Sequence, residues 1–195
     1  MASTKLYMEN IESCYLREFR ATVTAVDETS VTLDQTLFYP LGGGQNWDTG
    51  KISWDGGELS VTEVRGRSDI QHFVGEDHGL EIGDGVEGQI DWDRRHAHMR
   101  MHTAQHLMSG LAYEIFNGVR TVGNQIHATH SRIDFNPISF DQEMLDKLSN
   151  TANQLTNQSV TVSESVMTRE EINSIMPEDR TNMNLLPKSV KNLRV

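Results

Sequence analysis

The residues best suited to chemistry are histidines. Six of the eight fall between His96 and His130. The sharpest arrangement is His102-Thr103-Ala104-Gln105-His106. On a helix, a spacing of four places both imidazoles on one face, where they can share a metal ion. His98 extends the series by one more turn. His98 and His106 stand ~12 Å apart along a helix axis, too far to share one ion easily, so the pair is 98/102 or 102/106. Threonine follows His102 where a zinc protease of HExxH type carries its glutamate base, which argues against peptide hydrolysis. The second feature is Tyr39-Pro40-Leu41-Gly42-Gly43-Gly44-Gln45. Its glycines permit close approach or positive φ, and Gln45 offers an acceptor and two donors. No lysine follows them, so phosphate cradling is weakly supported. Neither a P-loop, a dinucleotide fingerprint nor a GxSxG elbow is present.

These residues need elements to hold them. Twelve of the 15 glycines lie between Gly42 and Gly88, among short β-like runs at 21–26, 30–33, 51–54, 59–64, 70–74 and 86–92. Asp55-Gly56-Gly57 reads as a hairpin turn. Such a pattern predicts a small barrel or sandwich. After residue 92 the period changes. Ala97, Met101, Ala104, Met108, Leu111 and Ile115 form one apolar helical stripe, ended by Asn117-Gly118. The His102/His106 pair points away from that stripe. A strand follows at 131–135. Ser139 and Gln142 have capping-box spacing before Leu145, Leu148, Ala152 and Leu155. Val160, Val162 and Val166 read as a strand, and Thr168 with Glu171 caps a short helix that Pro177 closes. Val190, Leu193 and Val195 open a strand at the chain end, so the chain reads as C-terminally shortened.

Composition bounds the function. The chain has 195 residues, 36% apolar and 23% charged, which is globular. No apolar run is long enough for a membrane span and no signal pattern opens the chain. One cysteine, Cys14, excludes a disulfide framework and a Cys-rich zinc site within the chain. A net charge of −11 disfavours indiscriminate nucleic-acid binding and leaves room for a local basic patch. Arg94, Arg95 and Arg100 flank the histidine helix and are the best candidates for it.

FYPLGGGQ, the Asp48-Thr49-Gly50 triplet, DWDRR at 91–95, HMRMHTAQHL at 98–107 and SRIDF at 131–135 together resemble one family. They are similar to the alanyl-tRNA editing proteins, the free-standing AlaX proteins of the longer type, and to the editing domain of alanyl-tRNA synthetase. The resemblance implies an α+β fold. A small translation-factor-like β-barrel over 1–92 would precede an α+β editing domain of the threonyl/alanyl-tRNA synthetase type over 93–195. It also implies a hydrolase that removes serine or glycine from alanine tRNA, working in the cytoplasm with tRNA as partner and zinc as cofactor. His102 and His106 are the matching zinc positions. Gln45 matches a candidate reader of the serine hydroxyl, with Thr103 beside the ligands and Gln125 lining the same pocket. The family's C-x-x-x-H motif does not occur, so this chain is expected to bind zinc poorly. The alternatives are a non-catalytic tRNA-binding or interaction module and a metal-dependent hydrolase of another small ester or amide.

Overall fold

The computed structural model describes residues 2–176, 180, 183 and 186–195. It divides into two compact units, Met1–Thr103 with Asn124–Arg132, and Ala104–Gly123 with Ile133–Val195. The first unit therefore takes in more than residues 1–92. It includes the first half of a long helix and a returning segment.

The first unit is built on strands β1 (Thr4–Lys5), β2 (Glu18–Val26), β3 (Ser30–Leu33), β4 (Gln35–Thr36), β5 (Gly50–Trp54), β6 (Gly57–Val61), β7 (Glu63–Arg65), β8 (Gln71–Phe73) and β9 (Gly85–Ile90). Seven of them form one antiparallel sheet, in the order β6-β5-β9-β2-β3-β8-β7. The edge strands β6 and β7 are consecutive and joined only by Thr62, and no ladder between them is present among the described residues. β1 pairs with β4 in parallel. β2 shows why the sequence forms a sheet. Phe19, Ala21 and Val23 are buried while Glu18, Arg20 and Thr22 face out, the period-two pattern of a half-buried strand. The hairpin at Asp55-Gly56 pairs Trp54 with Gly57, as expected. The run 59–64 breaks at Thr62 into two strands. Phe38, Leu33, Leu37, Ile52, Val64 and Ile70 belong to one buried hydrophobic cluster. His72 is buried there at 0% exposure. Its Nδ1 faces the Val31 carbonyl at 3.2 Å and its Nε2 faces Thr36 Oγ1 at 2.9 Å.

α1 (Trp92–Ile115) runs from the first unit into the second. Its buried positions are Arg95, His98, Gln105 and Ala112, not the Ala97–Ile115 stripe; Ala104 is exposed. The stripe misled because three of the four inward residues, Arg95, His98 and Gln105, are polar, which an apolar period does not register.

The second unit holds α2 (Gln142–Asn157) and α3 (Arg169–Ile175), with β12 (Val166–Thr168) antiparallel to β13 (Asn192–Arg194). To number the strands in chain order, β10 is Arg120–Ile126 and β11 is Ser131–Asn136, paired as a hairpin. α2 is capped by Asp141, whose side chain accepts from the Met144 N–H at 2.9 Å, and not by Ser139. A carboxylate at the N-cap satisfies an orphan donor and favours the helix dipole. The expected box of Thr168 and Glu171 is present in both directions. Those bonds hold the Glu171 carboxyl below its usual range. Val160 and Val162 lie outside any strand, and only Val166 enters one. Pro177 lies outside the described residues. No helix among the described residues is long and apolar enough to cross a membrane.

Candidate functional site

The glycine loop is a tight turn seated on the end of β10. Gly42 and Gln45 exchange backbone hydrogen bonds of 3.2 and 2.9 Å. Between them Gly43 and Gly44 have φ of +59° and +81°, the positive values a two-residue hairpin turn demands. The Gly44 carbonyl accepts from the Ile126 N–H at 2.7 Å, and the Ile126 carbonyl accepts from the Asn46 N–H at 3.3 Å. A Cβ on Gly44 would stand 1.8 Å from Asn124 Oδ1 and 2.9 Å from the Asn124 carbonyl. Close approach, not turn geometry alone, therefore requires this glycine.

Two successive side chains of the loop reach two histidines. His102 Nδ1 is 2.8 Å from Gln45 Oε1. His127 Nδ1 is 3.0 Å from Asn46 Nδ2. Gln45 is 4% exposed, so this amide is enclosed. His127 stacks on His130 with ring centroids 4.7 Å apart. His98, one turn before His102, is completely buried, and neither ring nitrogen has a hydrogen-bond partner among the described residues. Burial pushes its pKa down, and the charges of Arg94, His127 and Arg95 push the same way, against the opposing pull of Asp48. A group so placed stays neutral at physiological pH.

A buried ion pair braces the base of the loop. Arg95 Nε lies 2.9 Å from Asp48 Oδ2, and its Nη2 contacts both that oxygen and the Leu37 carbonyl. The same carboxylate accepts from the Tyr39 N–H at 2.8 Å. Tyr7 and Tyr39 pack beside it, and burial raises the pKa of both phenols. The D-x-G triplet and the first turn of α1 are thus one structural element.

The sequence candidates separate clearly. Gln45 and His102 come together. His106 is exposed one turn further on, and Thr103 is exposed. Gln125 is exposed on the opposite face of β10 from Asn124 and Ile126. Arg95 is 3% exposed and paired, and Arg94 donates from Nε to the Trp47 carbonyl at 3.0 Å. Arg100 is exposed. Sequence reasoning missed Asn46 and Asn124. No local signal marks them, because their partners lie far away in the chain.

Two imidazoles one helical turn apart suit two of the positions zinc takes. Among the described residues, no cluster of three or more His, Cys, Asp or Glu is arranged to hold a metal ion. Cys14 is no third ligand: its thiol donates to the Tyr7 carbonyl at 3.2 Å within its own loop.

Comparison with known proteins gives consistent results. The family model for tRNA synthetases class II (A) matches residues 4–94. An alanyl-tRNA editing protein AlaX-M of Methanosarcina barkeri is 40% identical over 189 residues, covering 93% of this chain and 77% of that protein. The AlaX-M of Methanosarcina mazei is 40% identical over 167 residues, and this chain spans 66% of its length. An alanine–tRNA ligase of Pyrococcus furiosus is 41% identical over 126 residues, which are 63% of this chain and 14% of the ligase.

Proposed function

The chain belongs to the family of alanyl-tRNA editing proteins, and we propose that it hydrolyses the ester joining serine, or glycine, to alanine tRNA. The observation that carries this reading is the 2.8 Å contact between Gln45 and His102. It joins the glycine loop and the histidine helix, the two motifs on which the resemblance chiefly rests, into one site. In this reading the seven-stranded sheet corresponds to the small barrel of the family's longer type, and tRNA is met in the cytoplasm.

An aminoacyl ester is already reactive, so holding it in place supplies much of the rate. The enclosed loop, Gln45 and the half-buried His102 form a rigid wall for that purpose. His98, neutral and buried behind His102, keeps this wall free of a competing charge. Zinc held by His102 and His106 would polarise a carbonyl or activate water. Thr103, exposed beside both, can hydrogen-bond the substrate. Gln125 faces away from the loop and takes a weaker place in the proposal. Arg100 is the arginine best exposed to meet phosphate, with Arg94 partly engaged. Arg95 contributes by bracing the loop through Asp48.

The test is single-turnover deacylation of seryl- and alanyl-tRNA of the alanine type. Seryl-tRNA should be hydrolysed and alanyl-tRNA spared. His102→Ala should slow the reaction about 100-fold or more. An unchanged rate in that variant would remove His102 from the reaction. The second reading, a tRNA-binding module without hydrolysis, is favoured by the incomplete set of metal donors among the described residues. It is supported if mischarged tRNA binds but stays charged.

A further inference from the structure

We infer that an aromatic column at the start of α1, formed by Arg17, Trp92 and His96 with Tyr15 at its side, is a stacking site for an unpaired nucleotide of the tRNA acceptor end, and that Arg100 takes a phosphate of the same strand. The Arg17 guanidinium lies over the Trp92 ring, 4.6 Å from its centroid. The His96 ring stacks on Trp92 with centroids 5.5 Å apart and planes 9° from parallel. Tyr15 tilts against the same indole at 6.0 Å.

Local structure explains why these groups meet. Trp92 and His96 are four residues apart on α1, one above the other. Arg17 leads into β2 and Trp92 follows β9, and these two strands pair, Glu18 opposite Gln89. The Arg17 carbonyl accepts from the Ile90 N–H at 3.0 Å. Tyr15 ends the single 3-10 turn Glu12–Tyr15 just before it. All of these residues belong to the first unit.

Anchoring accounts for Trp92, which packs against the buried cluster of that unit. It does not account for the groups around it. Tyr15 is 54% and Leu16 49% exposed, and Arg17 and His96 are exposed as well. A column of parallel rings that ends in solvent is a platform that a base can extend, because every base has a π-face. The arginines beside it are available. Among the described residues Arg17 and Arg100 are in no ion pair, whereas Arg20 and Arg65 are paired with Glu87 and Glu63. Of the acidic neighbours, Glu18 accepts from Gln89, and Asp91 accepts from the Arg94 N–H and the Thr49 hydroxyl. Glu12 and Asp93 are exposed, so the patch carries no strong positive field. Stacking must then supply much of the grip, as suits a chain of net charge −11.

The column also stands at a useful distance. Trp92, His96 and Thr103 fall within about 40° of one another around the helix, with Arg100 about 40° further round. From His96 to His102 the helix rises about 9 Å. That is about three nucleotides of a stacked strand at ~3.4 Å each. This step rests on the hydrolase reading, which puts the ester beside His102; the stacking site itself does not.

The experiment is binding of uncharged alanine tRNA to the full chain, with and without its unpaired 3′ nucleotides, followed by fluorescence anisotropy at several salt concentrations. His96→Ala removes the solvent end of the column. It should weaken binding of intact tRNA about 10-fold and leave the shortened tRNA unaffected. His96→Phe keeps a flat ring without a charge and should restore most of the affinity. Arg100→Ala should also weaken binding, and should flatten the slope of log K against log salt by about 0.7. His96→Ala should leave that slope unchanged. Equal affinity of His96→Ala and wild type for intact tRNA overturns the inference, as it would if a protein partner covered the patch instead. A loss of the same size on shortened tRNA overturns it too, and so does wild-type protein that binds no tRNA. The expected binding pattern without deacylation of seryl-tRNA defeats the hydrolase reading and leaves the stacking site standing. Deacylation by His96→Ala at the wild-type rate with tRNA below saturation does the reverse.

Discussion

The two units solve the problem of burial differently. The first encloses sixteen buried hydrophobic residues in one cluster, from Tyr7 to Ile90. In the second, the buried hydrophobic residues among those described are Ala112, Val119, Leu148 and Ile172. The second also carries Leu145, Val160, Val162, Val166, Ile175 and Val190 at the surface. A seven-stranded sheet buries a face with few residues, whereas short helices and two-stranded pairs need more neighbours to do so. The difference teaches where precision is available. The amide–histidine contacts Gln45–His102 and Asn46–His127 belong to the unit with the larger buried cluster.

The largest effect should come from breaking the pair that braces the first unit. Arg95→Met leaves the Asp48 carboxylate buried without its cation. Removing one partner of a buried pair costs about 3–5 kcal/mol. All three tryptophans, Trp47, Trp54 and Trp92, lie in the first unit, so fluorescence during urea unfolding reads that unit selectively. A loss no greater than that from cutting the exposed Arg20–Glu87 pair would show that Asp48 and Arg95 do not brace the unit.

Acid should also separate the units. Burial lowers the His72 pKa to about 4, against an unfolded value near 6.5. The folded state therefore binds fewer protons between these values. The stabilisation is complete above about pH 6.5 and is lost as pH falls towards 4, at most about 3 kcal/mol. Buried His98 shifts in the same direction. Seven of the eight histidines belong to the first unit, and His106 alone to the second. Tryptophan-monitored stability should fall between pH 7 and pH 4.5, and His72→Gln should flatten the slope. An identical slope in the variant would rule His72 out as the cause.

These contrasts also explain what the sequence revealed. The sheet was legible because β2 and β9 alternate residue by residue, and the Asp55-Gly56 turn names its own geometry. The Thr168–Glu171 box was legible because both halves are local. The buried side of α1 was not, because Arg95 meets Asp48, 47 residues earlier in the chain. The cap of α2 was not legible either: Ser139 has the motif spacing, but Asp141 makes the bond, and spacing cannot say which residue turns its backbone out of the helix. Gln45 and His102 were both visible as candidates, but their contact was not. That Gln45 meets His102 while Asn46 meets His127 depends on which way each points after two positive-φ glycines, and residue types alone do not give that.

The smallest expected effect lies in the second unit. Thr168→Ala removes the cap of α3 and should cost about 1 kcal/mol. Hydrogen exchange of the α3 amides should accelerate while the tryptophan transition stays in place. A shifted tryptophan transition would mean that α3 supports the first unit's core.

The seat of the glycine loop has a consequence for how the chain is made. During synthesis the loop leaves the ribosome well before β10, whose Ile126 backbone later pairs with Gly44 and Asn46. At ~5–20 residues per second the interval is on the order of 4–16 s. Through that interval the turn waits with unpaired backbone donors and acceptors. Three glycines and two amides give it little apolar surface and weak strand propensity, so it resists pairing with another nascent chain. The same composition that lets the loop approach β10 closely thus also protects it until β10 arrives.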